Sequence, residues 1–96
     1  MPHLEFELNG SKHRFELEKE KILIGRSSEA DLGFDDEKMS RKHCVIILKG
    51  GNYFVQDLKS TNGTVLNDQC LKEETCLRLH NEDELRIGDV FLTFHV

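Results

Sequence analysis

Three short stretches of this sequence hold residue types suited to gripping an oxyanion. Gly25-Arg26-Ser27-Ser28, Ser40-Arg41-Lys42-His43 and Ser60-Thr61-Asn62-Gly63-Thr64 supply two guanidinium groups, several hydroxyls, a primary amide, and glycines that let backbone N–H groups approach a ligand. Arginine offers a forked, charge-assisted pair of hydrogen bonds to phosphate. Hydroxyls and backbone amides can close a cage around it. Lys38 stands two residues before Ser40, in a basic run that follows the acidic Asp35-Asp36-Glu37. Taken alone, such a charge run reads as a solvated loop. Ser40 and His43 also have the composition of a nucleophile and its general base. No obvious oxyanion hole or water-excluding pocket accompanies them, so a small Ser/His hydrolase is the weaker reading. Asn62-Gly63 is a turn dipeptide on any reading, and its functional content is whether the Asn62 amide also reaches a ligand.

The elements that must carry these stretches read as strands. Leu4, Phe6 and Leu8 alternate with Glu5 and Glu7, Asn9-Gly10 reads as a turn, and Phe15 and Leu17 alternate again, so the segment predicts a hairpin. Ile22-Leu23-Ile24 is a short apolar strand ended by Gly25, and 31–34 is another. Residues 43–49 form the most apolar segment, short and rich in β-branched residues, and predict a strand buried on both faces. Further strands are expected over 53–57, 64–66, 69–71, 75–79, 84–87 and 90–96, with a short turn allowed within 73–79. About ten short strands with regular turn signals predict an all-β sandwich, whose end loops are where binding usually lives.

The bulk numbers agree with one small domain. The chain has 96 residues, 38% hydrophobic and 32% charged. No apolar run approaches the roughly 20 residues of a membrane-spanning helix, and the first residues lack a secretory pattern. A cytoplasmic protein, or a domain of a longer chain, is expected. A net charge of −5 argues against a general nucleic-acid binder. The three cysteines, Cys44, Cys70 and Cys76, make a poor disulfide framework and form no C-x-x-C pair. Cys44 reads as a small buried hydrophobe, and neither a metal nor a cofactor is expected.

The order Gly25-Arg26, Ser40-x-x-His43, Ser60-Thr61-Asn62-Gly63-Thr64 and Asn67 resembles the forkhead-associated (FHA) domain. Asp31-Leu32 and Leu85-x-Ile87-Gly88-Asp89 extend the resemblance over nearly the whole chain. Each motif is weak alone, but together in this order they are specific. The resemblance implies an eleven-stranded antiparallel β-sandwich over residues 1–96, with binding loops at one end that take an extended phosphothreonine peptide. It implies that Arg26 contacts the phosphate, that Ser40 bonds it through its hydroxyl, and that Arg41 reaches it by backbone or side chain. Thr61 adds a contact, and the Asn62 amide bonds the peptide backbone beside the phosphothreonine. Gly25, His43 and Gly63 support the site, His43 by bracing the loop that carries Ser40. From its charge and its position two residues before Ser40, Lys38 is expected to favour an acidic residue a few places downstream. The partner is a protein phosphorylated by a Ser/Thr kinase, and the location is cytoplasmic, or nuclear in a eukaryote. The alternative is an FHA-like scaffold that binds a partner independently of phosphate, which intact Arg26, Ser40 and Asn62 speak against.

Overall fold

The computed structural model describes residues 1–71 and 75–96. Eleven strands follow in chain order: β1 (His3–Leu8), β2 (Ser11–Glu16), β3 (Lys21–Gly25), β4 (Leu32–Gly33), β5 (Cys44–Lys49), β6 (Asn52–Asp57), β7 (Thr64–Leu66), β8 (Gln69–Cys70), β9 (Cys76–Arg78), β10 (Glu84–Ile87) and β11 (Val90–His95). No helix occurs among the described residues. The hairpin turns are where the sequence puts them. Asn9 and Gly10 have φ of 52° and 81°, Gly50 and Gly51 of 59° and 80°, and Asn67 and Asp68 of 47° and 69°. Two successive residues at positive φ give the turn twist that matches paired strands.

The strands form two sheets, ordered β2-β1-β11-β10-β7-β8 and β4-β3-β5-β6-β9. All pairs are antiparallel except the two-residue parallel pairing of β3 with β4, Ile24 with Leu32 and Gly25 with Gly33. The inner faces meet in one core, with Leu4, Phe94, Leu92, Leu85 and Ile87 from one sheet and Ile22, Ile24, Cys44, Ile46 and Val55 from the other. The sandwich expected from alternation is therefore present, and its two layers follow from strands that each have one apolar face.

Two local readings change. β5 is not buried on both faces: Cys44 and Ile46 are buried, whereas Val45 and Ile47 are half-exposed. Among the described residues no third layer covers the outer face of this sheet, where Val45 and Ile47 pack instead in cross-strand rows with Leu23 and Gln56, and with Lys21 and Phe54. The turn allowed within 73–79 falls partly on residues 72–74, outside the described residues, while Cys76–Arg78 is strand. His43, expected inside the fifth strand, lies just ahead of it.

The topology gathers the loops of interest at one end. β3 arrives there at Gly25, β5 leaves at Cys44, β6 returns at Asp57 and β7 leaves at Thr64. The β10–β11 turn joins them, because the Asp89 N–H donates to Asp36 Oδ2 at 2.8 Å.

Candidate functional site

The loop after β3 is pressed against the loop that carries Ser40. The Arg26 N–H donates to Ser40 O at 3.0 Å and the Ser27 N–H to Arg41 O at 3.1 Å. A Cβ at position 25 would stand 2.1 Å from Arg41 O, so only glycine admits this backbone approach. Gly63 is required for another reason. Nothing lies within 4 Å of a Cβ there, but its φ is +82°, which side-chain-bearing residues adopt at a cost.

Ser40 is the junction of the site. Its N–H donates to His43 Nδ1 at 3.0 Å, its carbonyl receives Arg26, and its Oγ accepts the Thr61 N–H at 2.9 Å. A hydroxyl that already accepts keeps its own O–H to donate. Thr61 is held in place by the same bond, with its side chain exposed.

His43 is fully buried. Nδ1 accepts from Ser40, so the hydrogen is on Nε2, which donates to Gly63 O at 2.8 Å. The ring spans the second and third loops and keeps no free lone pair for the Ser40 hydroxyl. A serine–histidine catalytic pair is incompatible with this arrangement.

Arg26 is exposed at the rim, and its Nε donates to Met39 O at 3.2 Å. Among the described residues this engages one of its five N–H donors, leaving the Nη groups for an outside acceptor. The Arg41 carbonyl is committed inward to Ser27, which leaves its N–H and its exposed guanidinium as the donors it has for an outside acceptor. Asn62 donates through Nδ2 to Lys38 O at 2.8 Å, which fixes the amide orientation and turns Oδ1 and the second N–H to other partners. Lys38 is exposed, and its Nζ lies 3.4 Å from Asp89 Oδ1. A cavity of about 310 Å³ lies beside these residues, lined by Lys38, Asn62, Gly63, Val65, Arg86 and Asp89 among others.

The family model of the FHA domain matches residues 22–88. The chain belongs to the FHA family. The glycogen accumulation regulator GarA of Mycolicibacterium smegmatis is 36% identical to this FHA domain over 81 residues, which are 84% of this chain and 49% of GarA. The transcriptional regulatory protein EmbR of Mycobacterium tuberculosis is 34% identical over 73 residues, 76% of this chain and 18% of EmbR. The chain thus spans half or less of these relatives. Among solved structures, the FhaA FHA domain complexed with the intracellular domain of Rv3910 superposes with a TM-score of 0.88 at 27% identity, covering 99% of this chain and all of that one. EmbR in complex with a low-affinity phosphopeptide superposes with a TM-score of 0.86 at 29% identity, covering 99% of this chain and 24% of that one.

The FHA domain also uses residues that sequence reasoning passed over. Asp57, 4% exposed, accepts from Ser60 N, Ser60 Oγ and Thr64 Oγ1, at 3.0, 2.5 and 2.7 Å. Burial pushes its carboxyl up, and these hydrogen bonds outweigh it, holding the group below the usual carboxylate range. Asp57 thereby shapes the 58–63 loop from beneath. Asp36 is not a solvated member of an acidic run. Its carboxylate accepts from Lys38 N at 2.9 Å and from Asp89 N, and a Cβ on Gly88 would meet its Oδ2 at 2.7 Å. The hydrogen bond from Asp89 N leads the forces that lower its pKa. The spacing Asp57-x-x-Ser60 is a readable turn signal, whereas nothing local marks Asp36. Burial, with the Asp57 charge beside it, pushes the Cys44 thiol up, which makes it an inert core residue.

Proposed function

We propose that this domain recognises phosphothreonine in an extended peptide, with no catalytic step. The observation that carries the reading is the Ser40 hydroxyl. It is fixed as an acceptor from Thr61 N, so its O–H is free to donate beside the exposed Arg26 and Arg41. In this reading Arg26, Ser40, Arg41 and Thr61 hold the phosphate. Asn62, steadied on Lys38 O, bonds the peptide backbone next to the phosphothreonine. The threonine methyl stiffens the side chain and contributes roughly 1 kcal/mol if it is packed. Lys38 favours an acidic downstream residue only in part, because Asp89 already draws on its charge.

The partner is a protein phosphorylated by a Ser/Thr kinase. Residues 1–96 act as one domain, a reading supported by a single core that runs from Leu4 to Phe94. Three free cysteines, one of them buried, suit a cytoplasmic setting. No helix is long and apolar enough to cross a membrane, among the described residues.

The test is fluorescence anisotropy against a degenerate phosphothreonine peptide library and its unphosphorylated counterpart. Micromolar binding is expected for the phosphorylated pool alone. Arg26→Ala and Ser40→Ala should each weaken it about tenfold or more, the loss of a hydrogen bond to a charged group. Equal retention by wild type and Arg26→Ala would instead support a phosphate-independent scaffold.

A further inference from the structure

At the end of the sandwich opposite the binding loops, the pairing of β1 with β11 sets His3 directly across from His95. Glu5 lies two residues along β1 and so on the same outer face. His3 Nε2 is 3.0 Å from Glu5 Oε2, and His95 Nε2 is 3.5 Å from Glu5 Oε1. The three ligand atoms all lie within 4.8 Å of one another. His3 is 8% exposed, while Glu5 opens to solvent and admits an ion.

The hydrogen-bond inventory makes this more than proximity. His3 Nδ1 lies 2.9 Å from the Met1 carbonyl oxygen. A carbonyl only accepts, so Nδ1 carries its hydrogen. Nε2 then faces a carboxylate oxygen, which also only accepts. That contact requires a positive centre between the two atoms, either a second ring proton or a metal ion in its place.

We propose that His3, Glu5 and His95 form a three-ligand site for a divalent first-row metal ion of the zinc class. Bonds of about 2.0–2.1 Å in a tetrahedron put ligand atoms about 3.4 Å apart. His3 Nε2 and His95 Nε2 approach different oxygens of Glu5, at 3.0 and 3.5 Å, distances on either side of that edge. The Met1 carbonyl on Nδ1 is the kind of partner that fixes the tautomer of a metal-binding histidine and raises its basicity. The neighbouring cation does not take the carboxylate: Arg14, opposite Glu5 on β2, pairs with Glu16 instead. Two histidines and one carboxylate leave a fourth position for water, the pattern of an open rather than a closed zinc site. A bound ion ties the start of β1 to the end of β11.

Calorimetric titration of the intact chain with zinc chloride near neutral pH tests the proposal. One ion per chain is expected, with a dissociation constant on the order of micromolar for so few ligands. Glu5→Gln and His95→Gln should each bind at least about tenfold more weakly. Zinc should raise the midpoint of thermal unfolding for wild type and not for either variant. Because Glu5 and His95 are not core residues, both variants should melt like wild type without zinc. Cobalt substitution separates this site from the exposed thiols of Cys70 and Cys76, since a His–His–Glu site gives no thiolate-to-cobalt charge-transfer band. Zinc affinity unchanged in both variants, a thiolate band, or no binding at about 100 µM zinc, far above the expected constant, would each overturn the proposal. Arg26 and Ser40 lie at the other end of the molecule, so phosphopeptide affinity should not respond to zinc, and the two readings stand or fall separately.

Discussion

Gly25 and Gly63 are glycines for different physical reasons, and the difference predicts different mutants. At Gly25 a methyl group would sit 2.1 Å from the Arg41 carbonyl, backbone against backbone. Neither side can yield without breaking the bonds from Arg26 N and Ser27 N that hold the Ser40 loop. Gly25→Ala is expected to destabilise the domain by about 3 kcal/mol or more and to abolish phosphopeptide binding even where the protein still folds. At Gly63 there is room for the methyl group, and only the left-handed backbone is strained, at about 1–2 kcal/mol. Gly63→Ala should therefore fold and bind with a modest loss. Urea denaturation of the two variants beside wild type gives the comparison, and equal losses would show that steric approach at Gly25 is not what selects glycine there.

At the scale of elements, the site depends on how β6 hands over to β7. Asp57 closes β6, Thr64 opens β7, and the Asp57 carboxylate holds the loop between them through Ser60 and Thr64. Its pKa is depressed in the folded state. The stability it contributes is therefore present above the unfolded carboxylate value, about 3.9, and is lost as pH falls through the folded value. Asp57→Asn keeps the shape but replaces one of the two acceptor oxygens with an NH2 donor, set either against Ser60 N or against the Ser60 and Thr64 hydroxyls. It should cost about 1–3 kcal/mol at neutral pH and remove part of the acid sensitivity. Wild type and variant should converge in denaturation midpoint as pH falls from about 7 to about 3, a window that spans the unfolded carboxylate value. Parallel losses across that range would remove Asp57 from the pH response. The strands and turns around this loop were legible because alternation and turn dipeptides are local signals. The three loop stretches were legible because short motifs carry them, and the fold brings them to one end. The supports were less so. Asp36 reaches Asp89 across 53 residues, and His3 meets His95 only through the β1–β11 register. No local pattern encodes such meetings. The half-exposed outer face of β5 was misread for a related reason, since a run of apolar residues does not say whether a third layer covers the sheet.

For the whole molecule the question is which charge a phosphopeptide responds to. The chain carries 13 basic and 18 acidic residues, a net −5, and a phosphothreonine brings about −1.5 to −2 at neutral pH. If the net charge governed association, added salt would screen a repulsion and strengthen binding. The site geometry argues the reverse. Arg26 and Arg41 are exposed on loops bonded to each other, with Lys38 and Lys42 in the same basic run. Of the acidic residues in these loops, Asp36 is held by backbone N–H groups and Asp57 by Ser60 and Thr64. With a screening length of about 10 Å at 0.1 M salt, distant carboxylates contribute little while charges that touch the phosphate still act. Affinity should therefore fall severalfold between about 0.05 and 0.5 M salt, as screening shortens toward the 3 Å of molar salt. It should also fall below about pH 6, where the phosphate gains its second proton. Arg41→Ala should flatten the salt response as well as weaken binding, because the exposed guanidinium carries a charge that the backbone of this residue lacks. Anisotropy titrations over that salt range decide the matter: affinity that rises with salt would mean that the acidic surface, not the basic loops, sets the encounter.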